Sequence, residues 1–253
     1  MGRLTSLRRL SLVRSSFALT FVGSLGALAG LSSLEYFALV DKRNRGAPDL
    51  GVSALPVDAW PCLSRLSLRR YWASNRQAGE VVDRLANGPA ADCLVALSLL
   101  HPNGRPALAT DCNARDTASL SRFTSLTRLA CDLANPAAFW PLLDSLTRLE
   151  TGRQWCAGLA ACDGLDPLLN LRSLVVSAPE ASLRSTLAIA PNLREVDVTL
   201  SALGMEGEVE EACRELLPSL RLLRLKSSGV PSNFFNRRGG RDRSPPRFYV
   251  QRY

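Results

Sequence analysis

A short pattern of leucines recurs along the chain and constrains its fold more than any other feature. It reads leucine-x-x-leucine-x-leucine, with conservative replacements, and is plainest in LTSLRRLSL (4–12), FTSLTRLAC (123–131) and LDSLTRLET (143–151). Each match is too short for a helix, and its apolar residues alternate at the end, as in a strand with one buried face. Nine matches occur at spacings of 20 to 32 residues. Their first leucines are Leu7, Leu34, Leu63, Leu94, Leu126, Leu146, Leu171, Leu193 and Leu220.

Several of the stretches between these matches carry helix signals. NPAAFWPLL (135–143) has an asparagine cap followed by proline at the first helical position, where a missing N–H has no cost. GEVVDRLANG (79–88) ends in Asn-Gly, which stops a helix. MEGEVEEACRELL (205–217) begins with acidic residues that suit the positive end of a helix dipole. A helix is also expected in APEASLRSTLAIA (178–190), so strands alternate with helices or loops.

Repetition on this scale predicts a solenoid of the α/β class. One strand–helix unit cannot bury its apolar face alone, whereas stacked units share a continuous core. The chain resembles leucine-rich repeat proteins from Leu4 to about Ser228, and is closest to the ribonuclease-inhibitor-like and F-box-associated branches, although no F-box is seen. The resemblance implies a curved horseshoe of about nine strand–helix or strand–loop units, with a parallel sheet on the concave side. One departure is that no unit has the family's Asn or Cys three places after the last strand leucine.

The C-terminal residues 229–253 differ in composition from the repeats. They contain six arginines and one aspartate, in a chain whose formal net charge is +8. Arginine is mixed there with Gly-Gly, Pro-Pro and aromatic residues, without the repeat pattern, which predicts disorder. We therefore divide the chain into a leucine-rich repeat solenoid, residues 1–228, and a basic, disordered tail, residues 229–253. The sequence leaves open whether the chain is complete or part of a longer protein.

The register of the repeat predicts which side chains face away from the core. Strand leucines point inward, so the residues between and after them point outward. Arginine occupies the outward position before the second leucine in four of the first six strands, and mixed charges follow in later strands. The residues expected to bind a partner are Arg9, Tyr36, Arg65, Arg69, Arg128, Arg148, Glu195, Asp197 and Arg224.

This basic row predicts a docking face for an acidic protein surface, because arginine binds carboxylates through paired hydrogen bonds. An ordinary solvated sheet face is the alternative interpretation. The function expected from the sequence is a non-enzymatic scaffold for protein–protein interaction. The resemblance also implies a substrate-receptor role in a ubiquitin ligase. A third hypothesis is RNA binding by the tail, whose arginines and aromatic residues suit phosphates and bases.

Catalysis and metal binding have little support in the sequence. The single histidine, His101, lies in the turn-like segment HPNGRP (101–106). No phosphate-binding loop, dinucleotide-binding glycine motif or nucleophile elbow occurs. Cys156 and Cys162 have neither a partner pair nor a nearby histidine, which is poor spacing for a metal site. We expect no enzymatic activity, no cofactor and no metal.

The seven cysteines are an odd number without paired spacing, which favours reduced, mostly buried thiols. Cys62 and Cys93 each precede a repeat leucine, and we expect both to be small core residues.

The expected location is the cytoplasm, with the nucleus as an alternative. No run of 18 apolar residues occurs, so no membrane span or membrane partner is expected. FALTFVGSLGALAG (17–30) has the length of a secretory segment, so secretion or organelle import stays open. However, the preceding LTSLRRLSL matches units far downstream, which favours a connecting segment within the first unit.

Deleting residues 229–253 distinguishes the protein-binding and RNA-binding hypotheses. If the sheet binds a protein, the truncated chain keeps its protein partners in affinity purification. If the tail binds RNA, the same truncation abolishes RNA recovery after cross-linking. Loss of the protein partners on truncation would contradict docking on the sheet.

Overall fold

The computed structural model describes residues 5–14, 25–41, 55–69, 75–100, 119–131, 136–160, 164–178, 180–200, 206–227 and 248–251. Within these ranges the strands form a single open sheet, in which neighbours in sequence are neighbours in space. The first nine strands are parallel, which is compatible with a repeat solenoid. They are β1 (Arg9–Arg14), β2 (Tyr36–Asp41), β3 (Arg65–Arg69), β4 (Ala96–Leu100), β5 (Arg128–Ala130), β6 (Arg148–Thr151), β7 (Ser173–Ala178), β8 (Glu195–Leu200) and β9 (Leu222–Ser227).

A tenth strand, β10 (Phe248–Gln251), pairs antiparallel with residues 222–225 of β9. These four residues belong to the C-terminal tail, residues 229–253. The pairing gives the backbone of β9 hydrogen-bonding partners on its second edge. Residues 229–247 and 252–253 lie outside the described part of the chain.

The connections contain helices where the sequence signals predict them. α1 (Asn75–Ala86) ends at the predicted Asn-Gly stop, and α4 (Glu180–Ala188) and α5 (Glu206–Leu216) lie within their predicted stretches. NPAAFWPLL forms a 3-10 turn, Pro136–Phe139, followed by α2 (Trp140–Asp144). The further helical segments are α3 (Arg153–Ala160) and the 3-10 turns Leu25–Gly30 and Val57–Ala59, none of which was predicted.

One contiguous hydrophobic cluster lies between the sheet and these helices. The first leucines of the repeat lie at the centre of this cluster. Those without exposed surface are Leu34, Leu63, Leu94, Leu126, Leu146 and Leu193. Strands and helices supply the rest, among them Leu66 and Leu68 of β3 and Val81 and Leu85 of α1. Because each unit shares this cluster with its neighbours, no unit buries its apolar residues independently.

Tryptophan side chains connect neighbouring units. The Trp60 ring packs against Phe37 with centroids 4.9 Å apart, and its Nε1 donates a hydrogen bond of 3.0 Å to the Leu28 carbonyl. Trp140 stacks on Trp155 of α3 at 6.4 Å, and its Nε1 donates to the Asp166 carbonyl at 3.1 Å. The indole N–H groups of Trp60 and Trp140 are therefore satisfied by a carbonyl of an adjacent unit.

The same backbone junction joins each unit to the next. Just before β3, the N–H groups of Ser64 and Arg65 both donate to the Glu35 carbonyl, at 2.9 and 3.0 Å. All eight junctions among β1–β9 follow this arrangement, the last being Arg221 and Leu222 to the Arg194 carbonyl at 2.8 and 3.0 Å. The accepting residue is always the one that follows the first leucine of the repeat. The leucine pattern therefore marks the point where each new strand is held against the previous one.

Side chains reinforce several of these junctions. The hydroxyls of Ser64 and Thr147 donate to the Glu35 and Thr127 carbonyls, at 3.0 and 3.1 Å. In the later units asparagine, at the position before the first leucine, also bridges to the previous unit, through the carbonyl two residues before that unit's first leucine. Asn192, for example, donates through Nδ2 to the Leu169 carbonyl at 3.0 Å.

Leu171→Asp should unfold the neighbouring units, because Leu171 is 2% exposed and the carboxylate would lie unpaired in the shared core. We expect the free energy of unfolding to fall by about 3 kcal/mol or more. Leu169→Asp is the matched control, since Leu169 is 53% exposed two residues earlier. Urea unfolding followed by circular dichroism measures both variants. Equal stability of the two variants would contradict the assigned register.

Candidate functional site

The outward residues of β1–β9 form continuous rows, because every strand pairs with its neighbour at the same repeat position. We call the row before the second leucine the first outward row and the row two residues later the second outward row. The first outward row is Arg9, Tyr36, Arg65, Ala96, Arg128, Arg148, Ser173, Glu195 and Leu222. The second outward row is Ser11, Ala38, Ser67, Ser98, Ala130, Glu150, Val175, Asp197 and Arg224.

The structure brings the predicted site residues together on this one face of the sheet. Eight of the nine lie in the two rows. The ninth, Arg69, lies at the C-terminal end of β3, two places beyond the second outward row. The sequence reasoning missed Lys226, which occupies the equivalent position of β9 opposite Thr199. Extending the alternation that selected Arg69 to the last strand would have found it.

The arginines of the first outward row are exposed. Arg128 and Arg148 are direct partners on β5 and β6, and Arg65 is separated from them only by Ala96. Like charges opposite each other on a sheet repel, so this arrangement costs some stability. Within the described ranges, none of Arg9, Arg65, Arg128 and Arg148 forms an ion pair with a carboxylate at contact distance, although the Arg148 charge acts on the nearby Glu150.

Small side chains line the second outward row beside these arginines. Ser11, Ala38, Ser67, Ser98 and Ala130 occupy β1–β5. Because these side chains are short, the longer arginine side chains of the first outward row project beyond them. A ligand that approaches this face of the sheet can therefore reach the guanidinium groups. The N-terminal two thirds of the face is therefore a shallow surface that carries accessible positive charge.

In the C-terminal third of the face, acidic side chains are paired with neighbouring side chains of the same face. Lys226 Nζ lies 2.7 Å from Asp197 Oδ2, and the Asp197 side chain is only 12% exposed. The other carboxylate oxygen, Oδ1, is buried without a hydrogen-bond partner among the described residues. On the neighbouring row, Ser173 Oγ donates to Glu195 Oε2 at 3.4 Å.

Glu150 lies where the two parts of the face meet. Burial raises the pKa of this carboxyl, and the nearby Asp197 charge raises it further. The positive charges of Arg69, Arg148 and Lys226 act in the opposite direction. Residues from β3, β6, β8 and β9 therefore share one electrostatic environment, although they are far apart in the sequence.

The expectation that Cys62 and Cys93 are core residues is wrong, because both are exposed. They lie in the turn that precedes each strand, where the following leucine is the residue that enters the core. Cys131, Cys156 and Cys213 are buried. Burial, together with the charge of Glu210, raises the pKa of Cys213 to about 11, which keeps that thiol protonated at neutral pH.

The part of the chain that the structure describes contains no group of three or more His, Cys, Asp or Glu side chains arranged to hold a metal ion. Across the same ranges, none of the helices combines the length and the apolar character needed to cross a bilayer. His101, Cys112 and Cys162 lie outside the described residues, as does most of the arginine-rich tail.

No protein-family model matches the chain, and a search of the curated proteins finds no significant match.

The raised pKa of Glu150 predicts a specific pH dependence of stability. The folded state binds the Glu150 proton more tightly than the unfolded state, so the free energy of unfolding falls as pH rises from the ordinary value of 4.5 through the raised value. Glu150→Gln should remove this fall and stabilise the protein above that window. Urea unfolding across pH measures the effect.

Two further variants test the cause of this shift by carboxyl NMR. Arg69→Gln should raise the pKa of Glu150 further, and Asp197→Asn should lower it. Shifts in the opposite directions would contradict the arrangement of charges described here.

Proposed function

We propose that the chain is a leucine-rich repeat solenoid that acts as a non-enzymatic scaffold and binds an acidic surface of another protein across its exposed sheet face. The observation that carries the proposal is the exposed, adjacent set Arg65, Arg128 and Arg148, for which the described residues provide no ion pair within contact distance, although the Arg148 charge also acts on the half-buried Glu150. Adjacent arginines repel each other in the free protein. When a surface that bears carboxylates lies across them, their electrostatic interaction with that surface is favourable.

The shape of the face supports a protein partner. The two outward rows span nine strands, and neighbouring strands lie about 4.8 Å apart, so the face extends for about 40 Å. Such a length suits a protein–protein interface better than a small molecule, which needs a concave pocket. Tyr36 adds a half-buried aromatic residue between Arg9 and Arg65.

The uneven charge of the face predicts the orientation of the partner. Acidic residues of the partner would lie over β1–β6, where the arginines are free to bind them. The C-terminal strands, where Asp197 is already paired with Lys226, would contact neutral or mixed residues. The ubiquitin-ligase receptor role would use the same face, and it has no separate structural observation in its favour.

Reversing charge at Arg65, Arg128 and Arg148 together should weaken partner binding by more than about tenfold, because three attractive contacts become repulsive. Recovery of co-purifying proteins by quantitative mass spectrometry measures the loss. Binding to the unmodified chain should also weaken as salt concentration rises.

The matched control reverses Arg122, Arg184 and Arg214, which makes the same change in net charge away from the sheet face. Arg184 and Arg214 form exposed ion pairs with Glu215 and Glu210, and such pairs contribute only about 0–1 kcal/mol to stability. The control should keep its partners. An unchanged set of partners in the sheet-face variant, or equal losses in both variants, would overturn the proposal.

A further inference from the structure

Two exposed cysteines occupy the same position in adjacent units. Cys62 directly precedes Leu63, the first leucine of the β3 unit, and Cys93 directly precedes Leu94, the first leucine of the β4 unit. Both thiols are accessible, unlike those of Cys131, Cys156 and Cys213. The turn position that holds serine or asparagine in the other units thus holds two exposed cysteines here.

The register brings these two positions next to each other. Arg65 pairs with Ala96, and the N–H groups of Val95 and Ala96 donate to the Ser64 carbonyl at 2.8 and 3.1 Å. This junction begins two residues after each cysteine. Neighbouring parallel strands lie about 4.8 Å apart, which is within the 4.4–6.8 Å separation of Cα atoms that a disulfide requires.

We propose that Cys62 and Cys93 form a redox-active dithiol that closes to a disulfide between the third and fourth units, with glutathione disulfide as the oxidant. One cysteine thiolate attacks a sulfur of glutathione disulfide, forms a mixed disulfide and releases one glutathione thiolate. The second cysteine thiolate then attacks the protein sulfur of that mixed disulfide and releases the second glutathione. The protein loses two electrons and two protons, and glutathione disulfide is reduced to two glutathione molecules.

The disulfide should be easy to reduce. At equivalent positions of stacked units the Cα–Cβ bonds point in similar directions, whereas a relaxed disulfide needs its Cβ atoms about 3.8 Å apart. Closing the bond therefore pulls the two turns together and stores strain, and strained, exposed disulfides are the labile ones. Such a bond responds to the glutathione redox balance and is not a permanent cross-link.

Closure would tie together the turns that lead into Arg65 and Ala96 of the first outward row. The bridge would enclose α1, which lies between the two cysteines in the sequence. The proposal depends on the register and on the exposed thiols, and it stands whether or not the sheet face binds an acidic partner.

The test equilibrates the reduced full-length chain with mixtures of reduced and oxidised glutathione, followed by acid quenching, alkylation and proteolysis without reductant. We expect a peptide pair linked through Cys62 and Cys93 to be the main intramolecular disulfide, and to disappear with dithiothreitol. Fragmentation spectra place the link. Separate glutathione adducts on the two cysteines without a link, or a main link to another cysteine, would overturn the proposal.

Variants that move one thiol along the stack test the role of the register. Ser33 and Ser125 occupy the equivalent turn position of the β2 and β5 units. Cys93→Ser combined with Ser33→Cys keeps the thiols in adjacent units and should restore a disulfide with Cys62. Cys93→Ser combined with Ser125→Cys places them two units apart, at about 9.6 Å, and should not.

All three substituted positions lie in turns outside the buried core, so we expect both variants to keep the circular dichroism spectrum of the parent chain. Equal disulfide yield from the two variants, at a folded spectrum, would show that stacking does not select the pair, and would overturn the proposal.

Discussion

The interaction on which the rest of the structure depends is the junction in which one carbonyl accepts two consecutive N–H groups of the next unit. It occurs at all eight steps among the nine parallel strands. Each junction sets where a new strand begins relative to the previous one, so the outward rows stay aligned although the first leucines are 20 to 32 residues apart. Differences in unit length are accommodated in the connections, some of which hold helices while others hold a 3-10 turn closed by a tryptophan. A continuous core on one side and continuous rows on the other both follow from this one contact.

The aligned register brings residues that are distant in the sequence together on the exposed face. Arg65, Arg128 and Arg148 are 63 and 20 residues apart in the sequence and become near neighbours on one face of the sheet. Their mutual repulsion is tolerated because the buried leucines behind the sheet supply the stability. The opposite end of the same face is neutralised by Lys226 and Asp197. Charge on the described sheet face is thus segregated along the stack, with unpaired arginines towards the N-terminal strands and an ion pair towards the C-terminal strands.

Much of the fold follows from local sequence signals, and the exceptions have physical causes. The leucine pattern predicts the strands and both outward rows, since alternation holds inside a strand. It fails at Cys62 and Cys93, because the chain turns there and alternation no longer tells which way a side chain points. α3 was missed because its sequence, RQWCAGLA, has neither a cap nor a stop signal. The raised pKa of Glu150 depends on Arg69, Asp197 and Lys226, which only the assembled sheet brings near.

The junctions also determine how the molecule would bear mechanical load. Each one connects only adjacent units, so a force pulling the two ends of the stack apart passes through all of them in series. Units in series open one after another, beginning with the weakest, and the remaining stack keeps its register meanwhile. A disulfide between Cys62 and Cys93 would cross-link the third and fourth units covalently. Those two units could then not separate under force, whereas the other units still could.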